Sequence, residues 1–397
     1  MTPPPKPNRQ EPVRAAIVGL GAMGASQPPH GRHRATESGL PQSHASALAA
    51  IGGVEVVAVA DVSADARNRF LDTWGGRWPN VRTFADHREL LAHVTPDLVT
   101  VATPDHLHRS IIVDSIDAGS RLIFAEKPLV TDLVEANDIV ALAAVTGASI
   151  QVNYTRRFRP EFQAAQRELQ SGSIGPLSQI VMRNGGPRAM LFRNTSHFVD
   201  LACYFAASRP EWVVADFDEG FERYGRTYGA EGGADPALEP GSNLYIAFEG
   251  AARAFICDRK SAYREQTVSL IGDAGSITLS SAGVVMTFDD GDGPVQRPIT
   301  IGSINLGVQV AIEDLLRARF GTWDLTSPAK EAWKSVAIID AALASQAEGN
   351  SRVAISYPSN VGMQGRRRIR ASLSSGSSGR SSVSLTDRTA RTTPKVQ

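Results

Sequence analysis

The sequence predicts an α/β domain built on a doubly wound parallel sheet, followed by an α+β domain with a mostly antiparallel open sheet. Three observations predict it. Near-continuous apolar runs rich in β-branched residues recur through the first 125 positions, as in strands buried on both faces. Helical patterns separate these runs. Beyond about residue 150 the apolar runs shorten, alternate with polar residues and are divided by glycine-containing turns, as in antiparallel sheets.

The elements follow in order. Residues 14–18, 54–60, 97–102 and 121–125 read as four parallel strands, with helices over 64–74 and 106–118 between them. In the second half, 178–182, 243–248, 253–258, 268–271 and 277–279 read as strands. A late helix is expected from Ser327-Pro328, an N-cap followed by proline at the first helical position, to the glycine at 349. The partition expected is a disordered 1–12, a nucleotide-binding domain 13–149 with an insertion at 25–42, an α+β domain 150–357 and a disordered tail 358–397. The tail is rich in Ser, Gly and Arg, with too few large apolar residues to offset the entropy of ordering it.

Between the first strand and the next helix stands Gly19-Leu20-Gly21-Ala22-Met23-Gly24. In such a turn the first glycine makes the bend, the second admits a pyrophosphate and the third lets helix and strand close up. Asp61 ends the next strand, where an acid accepts both hydroxyls of an adenosine ribose. The set reads as a Rossmann dinucleotide site and favours NAD. Arg67 and Arg69 keep NADP open, should the loop bend back toward a 2′-phosphate. The gap from Gly24 to Asp61 is 37 positions, against about 20 in an ordinary motif. The insertion 25–42 carries three prolines and cannot be a regular helix, so the helix is expected to restart near Ser43-His44-Ala45.

Composition removes other classes. No apolar run reaches the ~20 residues of a membrane helix, and the N-terminal residues lack the apolar core of a secretory signal. Two cysteines, Cys203 and Cys257, lie 54 positions apart, which is neither a disulfide framework nor a zinc pattern and fits a reducing cytoplasm. The zero net charge conceals a tail of +7 from residues 359–397 and a body of about −7, a poor surface for nucleic acid. No metal is expected: His30 and His33 sit in a proline-rich loop with no fixed geometry.

Four ordered motifs resemble the Gfo/Idh/MocA oxidoreductase family, of the glucose–fructose oxidoreductase and inositol 2-dehydrogenase type. They are Gly19 to Gly24 with His44 and Ala60-Asp61, then Ala102-Thr103-Pro104-Asp105-His106-Leu107-His108, Ala125-Glu126-Lys127-Pro128-Leu129, and His197-Phe198-Val199-Asp200. Asn153-Tyr154 with Arg157-Phe158-Arg159-Pro160 adds to the set. The resemblance implies hydride transfer between NAD(P) and a secondary alcohol or ketone of a sugar, cyclitol or related polyol. It implies that Lys127 points at the reacting oxygen and that His197 is the general acid/base. Cofactor contacts would come from Gly19, Gly21, Ala22, Met23, Gly24, Asp61, Thr103, Pro104, His108, Glu126 and Lys127, and substrate contacts from Tyr154, Arg193 and Asn194. A homodimer or homotetramer would pack through the second sheet.

The residues support parts of this directly. Lys127 lies just past a strand end, where ligands collect in open α/β sheets, and its ammonium would polarise a substrate oxygen. His197, after Thr195-Ser196, is expected at a helix N-terminus, where the dipole favours the neutral imidazole a base requires. Asp200, three residues on, is expected to orient that ring or bind a hydroxyl. Arg193 stands where the family usually carries Asp; it cannot act as a base, but suits a carboxylate or phosphate. A non-catalytic NAD(P)-binding regulatory or assembly protein of the same fold is the alternative, because fold does not fix function. Elimination or hydrolysis with tightly held NAD is a third reading.

Overall fold

Six short strands pair in parallel: β1 (Val13–Val18), β2 (Val54–Ala60), β3 (Arg82–Phe84), β4 (Leu98–Val101), β5 (Leu122–Ala125) and β6 (Ser149–Val152), of which the sequence predicts all but β3 and β6. In this computed structural model they are ordered β3-β2-β1-β4-β5-β6. The order reverses between β1 and β4, the switch point at which such sheets bind ligands beyond their C-terminal edges. The structure describes residues 11–27, 41–186, 191–218, 241–302, 307–321 and 323–357, the side chain of Arg193 excepted. The expected disordered N-terminus, apart from Glu11 and Pro12, lies outside the described residues, as do most of the insertion and all of the tail.

Helices cover both faces of the sheet. α1 (Ala22–Ala25) is a single turn. α2 (His44–Ala50) starts where expected, and Ser43 caps it by accepting from the Ser46 amide. The glycine turn therefore does run into helix for one turn before the chain departs. The Ser43 hydroxyl also donates to the Ser26 carbonyl at 2.5 Å, and the Trp74 indole donates to the Ala25 carbonyl at 2.8 Å. These two bonds tie down the end of α1. α3 (Ala64–Trp74), α4 (His87–His93), α5 (His108–Asp117) and α6 (Leu133–Thr146) complete the crossovers.

The second sheet has nine strands, ordered β14-β13-β12-β11-β7-β10-β9-β8-β15. Its centre is β7 (Leu177–Gly186), parallel to β10 (Arg253–Lys260) and antiparallel to β11 (Glu265–Gly272). Further out are β8 (Pro210–Phe217), β9 (Ser242–Phe248), β12 (Gly275–Ser280), β13 (Gly283–Asp289), β14 (Pro294–Pro298) and β15 (Val353–Ala354). α7 (Pro160–Gln170), α8 (Ser196–Ala206) and α10 (Ala329–Ala347) accompany this sheet.

The chain does not divide cleanly at residue 150. β6 straddles that point, and α9 (Gly307–Arg317) returns to the first sheet. There Val308, Ala311, Ile312 and Leu315 join the core formed by Ile17, Val59, Phe70 and Phe124. Gln151 Nε2 donates to Asp314 Oδ2 at 2.7 Å in this buried seam. α9 is not among the helices read from the sequence, and no local period shows which sheet it covers. At α10, Pro328 is the N-cap rather than the first helical residue; the Ser327 amide instead donates to Gln151 Oε1.

Candidate active site

The glycine turn divides its tasks unequally. Gly19 has φ +92°, and a Cβ there would lie 2.5 Å from the Ala102 carbonyl oxygen. A Cβ on Gly24 would run into the Gly19 carbonyl. These two glycines let the protein close on itself. Gly21 is exposed, and a Cβ there would meet nothing within 4 Å. That bare surface, followed by exposed Ala22 and Met23 at the start of α1, is the space a pyrophosphate needs. Asp61 accepts from the Leu20 amide at 2.7 Å and the Ser63 amide at 2.8 Å. Its carboxylate is thereby fixed at the mouth of the turn, with lone pairs left for ribose hydroxyls. Arg67 donates to the Asp61 and Val62 carbonyls at 2.6 and 3.3 Å, so its guanidinium is committed to the loop. The residues present fit NAD.

Past β5 the chain turns through Glu126, Lys127 and a cis Pro128. Glu126 Oε1 accepts from Asn153 Nδ2 at 2.6 Å and lies 3.2 Å from His44 Nε2. Burial pushes the Glu126 carboxyl up, but His44, Asn153 and the Lys127 charge outweigh it and leave it below the usual carboxylate range. His108 is buried, with Nδ1 2.9 Å from the Pro128 carbonyl and Nε2 3.0 Å from the Thr103 carbonyl. It ties the Thr103-Pro104 loop to the Lys127 loop. A cavity of about 340 Å³ opens here, lined by Met23, Thr103, Pro104, Glu126, Lys127 and His197 among others.

His197 and Thr155 line this cavity and also a larger one of about 1420 Å³, whose wall includes Arg156, Asn184, Asn194 and Arg264. His197 thus shares the smaller cavity with Lys127 and the larger one with Asn194. The reason His197 is neutral differs from the expected one. A π-helical stretch, Leu191–Thr195, runs into α8, so His197 is not at a free helix end. Thr195 and Ser196 do not cap: Thr195 Oγ1 donates to Asp258 Oδ2 at 2.6 Å and Ser196 Oγ to the Phe192 carbonyl at 2.6 Å. Burial, and then the charges of Lys127 and Arg156, hold the imidazole well below its ordinary pKa. Its Nδ1 has no hydrogen-bond partner among the described residues.

Two expectations are corrected. Asp200 does not orient His197. Its two oxygens accept from Nε and Nη2 of Arg157, both at 2.8 Å, with the side chains 3 % and 1 % exposed. Burial alone would lower the Arg157 pKa, but the Asp200 carboxylate reverses this and raises it. Tyr154 is not at a cavity wall: it is fully buried, and its ring meets the His197 ring edge-on at 6.0 Å. Burial pushes its phenol far up. The Arg193 side chain lies outside the described residues. Among the described residues, no group of three or more His, Cys, Asp or Glu is arranged to hold a metal.

Sequence reasoning gave no role to His44, Asn153, Arg156 or Asn184. The first two belong to motifs that carry the family resemblance, but their partner Glu126 lies 82 and 27 positions away.

Fold and site together define a dinucleotide-binding Rossmann protein carrying an α+β second domain. Residues 13–154 match the family model described as oxidoreductase family, NAD-binding Rossmann fold. Residues 13–154 are thus similar to the nucleotide-binding part of the Gfo/Idh/MocA family. It is 33 % identical to inositol 2-dehydrogenase 1 of Saccharopolyspora erythraea over 183 residues, 45 % of this chain and 48 % of that one. It is 26 % identical to the scyllo-inositol 2-dehydrogenase (NAD(+)) of Bacillus subtilis, over 68 % of this chain and 74 % of that one. The matched segment thus spans about half the length of the first relative. An oxidoreductase domain protein from Kribbella flavida has the same fold, with TM-score 0.71 and 18 % identity over 88 % of this chain and all of that one.

Proposed function

We propose that the protein is an NAD-dependent dehydrogenase transferring hydride between nicotinamide and a secondary alcohol or ketone of a sugar, cyclitol or related polyol. The observation that carries the reading is that Lys127 and His197 line one cavity beside a glycine turn fitted to a dinucleotide. The glycine turn and Asp61 would hold NAD, which would supply the acceptor for hydride from the carbinol carbon and, when reduced, the donor of hydride to the ketone. The chain's residues supply the rest. His197, held neutral by burial, accepts the hydroxyl proton and returns it in reverse. Lys127 stabilises the negative charge developing on that oxygen. Glu126, held by His44 and Asn153, positions the Lys127 loop. Asn194 contacts substrate from the larger cavity's wall. The inositol dehydrogenases among the relatives support the polyol substrate.

The reading extends to a homodimer or homotetramer in the cytoplasm. Tyr245 stacks on Phe255 at 4.7 Å, and Phe255 is 40 % exposed, which gives the second sheet an apolar outer face. Cys203 and Cys257 are unpaired. Among the described residues no helix is long and apolar enough to cross a membrane. The test is reduction of NAD by the purified protein across a polyol and sugar panel, with NADP in parallel. Nucleotide binding without turnover on any member would refute the dehydrogenase reading.

A further inference from the structure

The larger cavity is cationic in a way that hydride transfer to a neutral polyol does not require. Arg156 follows β6 in a short 3₁₀ turn, Thr155–Phe158, and lines this cavity beside His197. Its guanidinium lies 4.3 Å from the centroid of the Phe198 ring, and its Nη1 is buried with no hydrogen-bond partner among the described residues. The nearby Asp258 attracts it, yet both Asp258 oxygens are already engaged, by Asn184 Nδ2 at 2.7 Å and Thr195 Oγ1 at 2.6 Å. Two glutamates also line the wall, and both are neutralised. Glu161 accepts from Arg159 Nε at 2.6 Å, and Glu265 lies 3.1 Å from Arg183 Nη2. Arg264 adds a second cation at the rim, with no carboxylate in ion-pair contact among the described residues. Burial brings Arg156 down to about 10, so it is charged at neutral pH.

A largely desolvated guanidinium with an unpartnered donor is costly, and a carboxylate fits its planar fork. One half-buried guanidinium suits a monoanion better than a phosphate dianion. We infer that the substrate is a polyol acid, an aldonate, uronate or similar hydroxy acid, whose carboxylate docks on Arg156 while its reacting hydroxyl lies at His197 and Lys127. This rests on the dehydrogenase reading above and narrows its substrate class.

The test is calorimetric titration of the NAD-loaded protein with matched pairs: D-glucuronate and D-glucose, D-galacturonate and D-galactose, D-gluconate and sorbitol. In at least one pair the acid is expected to bind tenfold or more tightly, the scale of one charge-assisted hydrogen bond. Arg156→Met should erase that preference, and Arg156→Lys should keep part of it. An unchanged NAD affinity in both variants shows that they fold. Equal or weaker binding of the acid in every pair, or a preference that survives Arg156→Met, would overturn the inference. So would tighter binding of glucose 6-phosphate than of any acid. Arg156-dependent acid binding without NAD reduction would instead refute the dehydrogenase reading and leave the anion site standing. NAD reduction by neutral polyols with no acid preference would do the reverse.

Discussion

Asp200 separates a catalytic reading from a positional one, because sequence and structure assign it different work. Truncating it by Asp200→Ala would leave the Arg157 guanidinium, 3 % exposed, with two backbone acceptors among the described residues, the Thr326 carbonyl at 3.1 Å and the Asp200 carbonyl at 3.5 Å. Two bonds of 2.8 Å to a carboxylate disappear. Breaking one side of such a buried pair costs about 3–5 kcal/mol, a large part of the stability of an ordinary domain. Replacing both partners with apolar groups, as in Asp200→Leu with Arg157→Met, should cost less than Asp200→Ala alone, because no charge is stranded. The assay is urea unfolding followed by Trp fluorescence, with NAD reduction measured under native conditions on the same samples. The expected result is a lowered midpoint for Asp200→Ala, partial recovery in the double variant, and residual turnover with an unchanged pH profile in whatever remains folded. Wild-type stability in Asp200→Ala combined with lost turnover would refute the positional reading and restore Asp200 to the proton chemistry.

Other outcomes follow from the same geometry. Lys127→Ala should lower kcat by about 10²–10⁴-fold while NAD still binds, as checked by nucleotide fluorescence titration; a KM effect alone would contradict its role. His197 has a depressed folded-state pKa, so between that value and its unfolded value near 6.5 the unfolded chain binds more protons. Stability should therefore rise with pH across this window and fall as pH drops below 6.5, and His197→Gln should flatten the slope in acid unfolding curves. For the same reason the acid limb of kcat/KM should lie below pH 6.5. Gly21→Ala should weaken NAD binding by roughly tenfold or more with no change in melting temperature, since its Cβ meets only the space a pyrophosphate needs. Gly24→Ala should lower the melting temperature even without NAD, since its Cβ meets the Gly19 carbonyl; equal melting of the two variants would contradict this division.

Features carried by neighbouring residues were legible in the sequence. The glycine turn, Asp61, the strand runs and the Lys127 loop each declare themselves within a few positions, since strand period and turn chemistry are local. The choice of partners was not legible. Asp200 sits three residues from His197, and helical spacing suggests that they meet; instead Arg157, 43 positions away, takes both carboxylate oxygens. Arg156 and Arg157 are adjacent in sequence and read alike, yet one is neutralised and the other faces a cavity. His197's neutrality was anticipated for the wrong reason, because the π-helical lead into α8 extends the helix past the residues that looked like caps. The return of α9 to the first sheet depends on burial partners more than 150 positions apart, which no local period encodes.

The bond from Ser43 to the Ser26 carbonyl fixes the two exits of a chain excursion to within one hydrogen bond. Once both exits are pinned, the cost of closing whatever lies between grows only as the logarithm of its length, about 0.6 kcal/mol for each doubling. The excursion can therefore lengthen or shorten in evolution almost without penalty to the sheet beneath it.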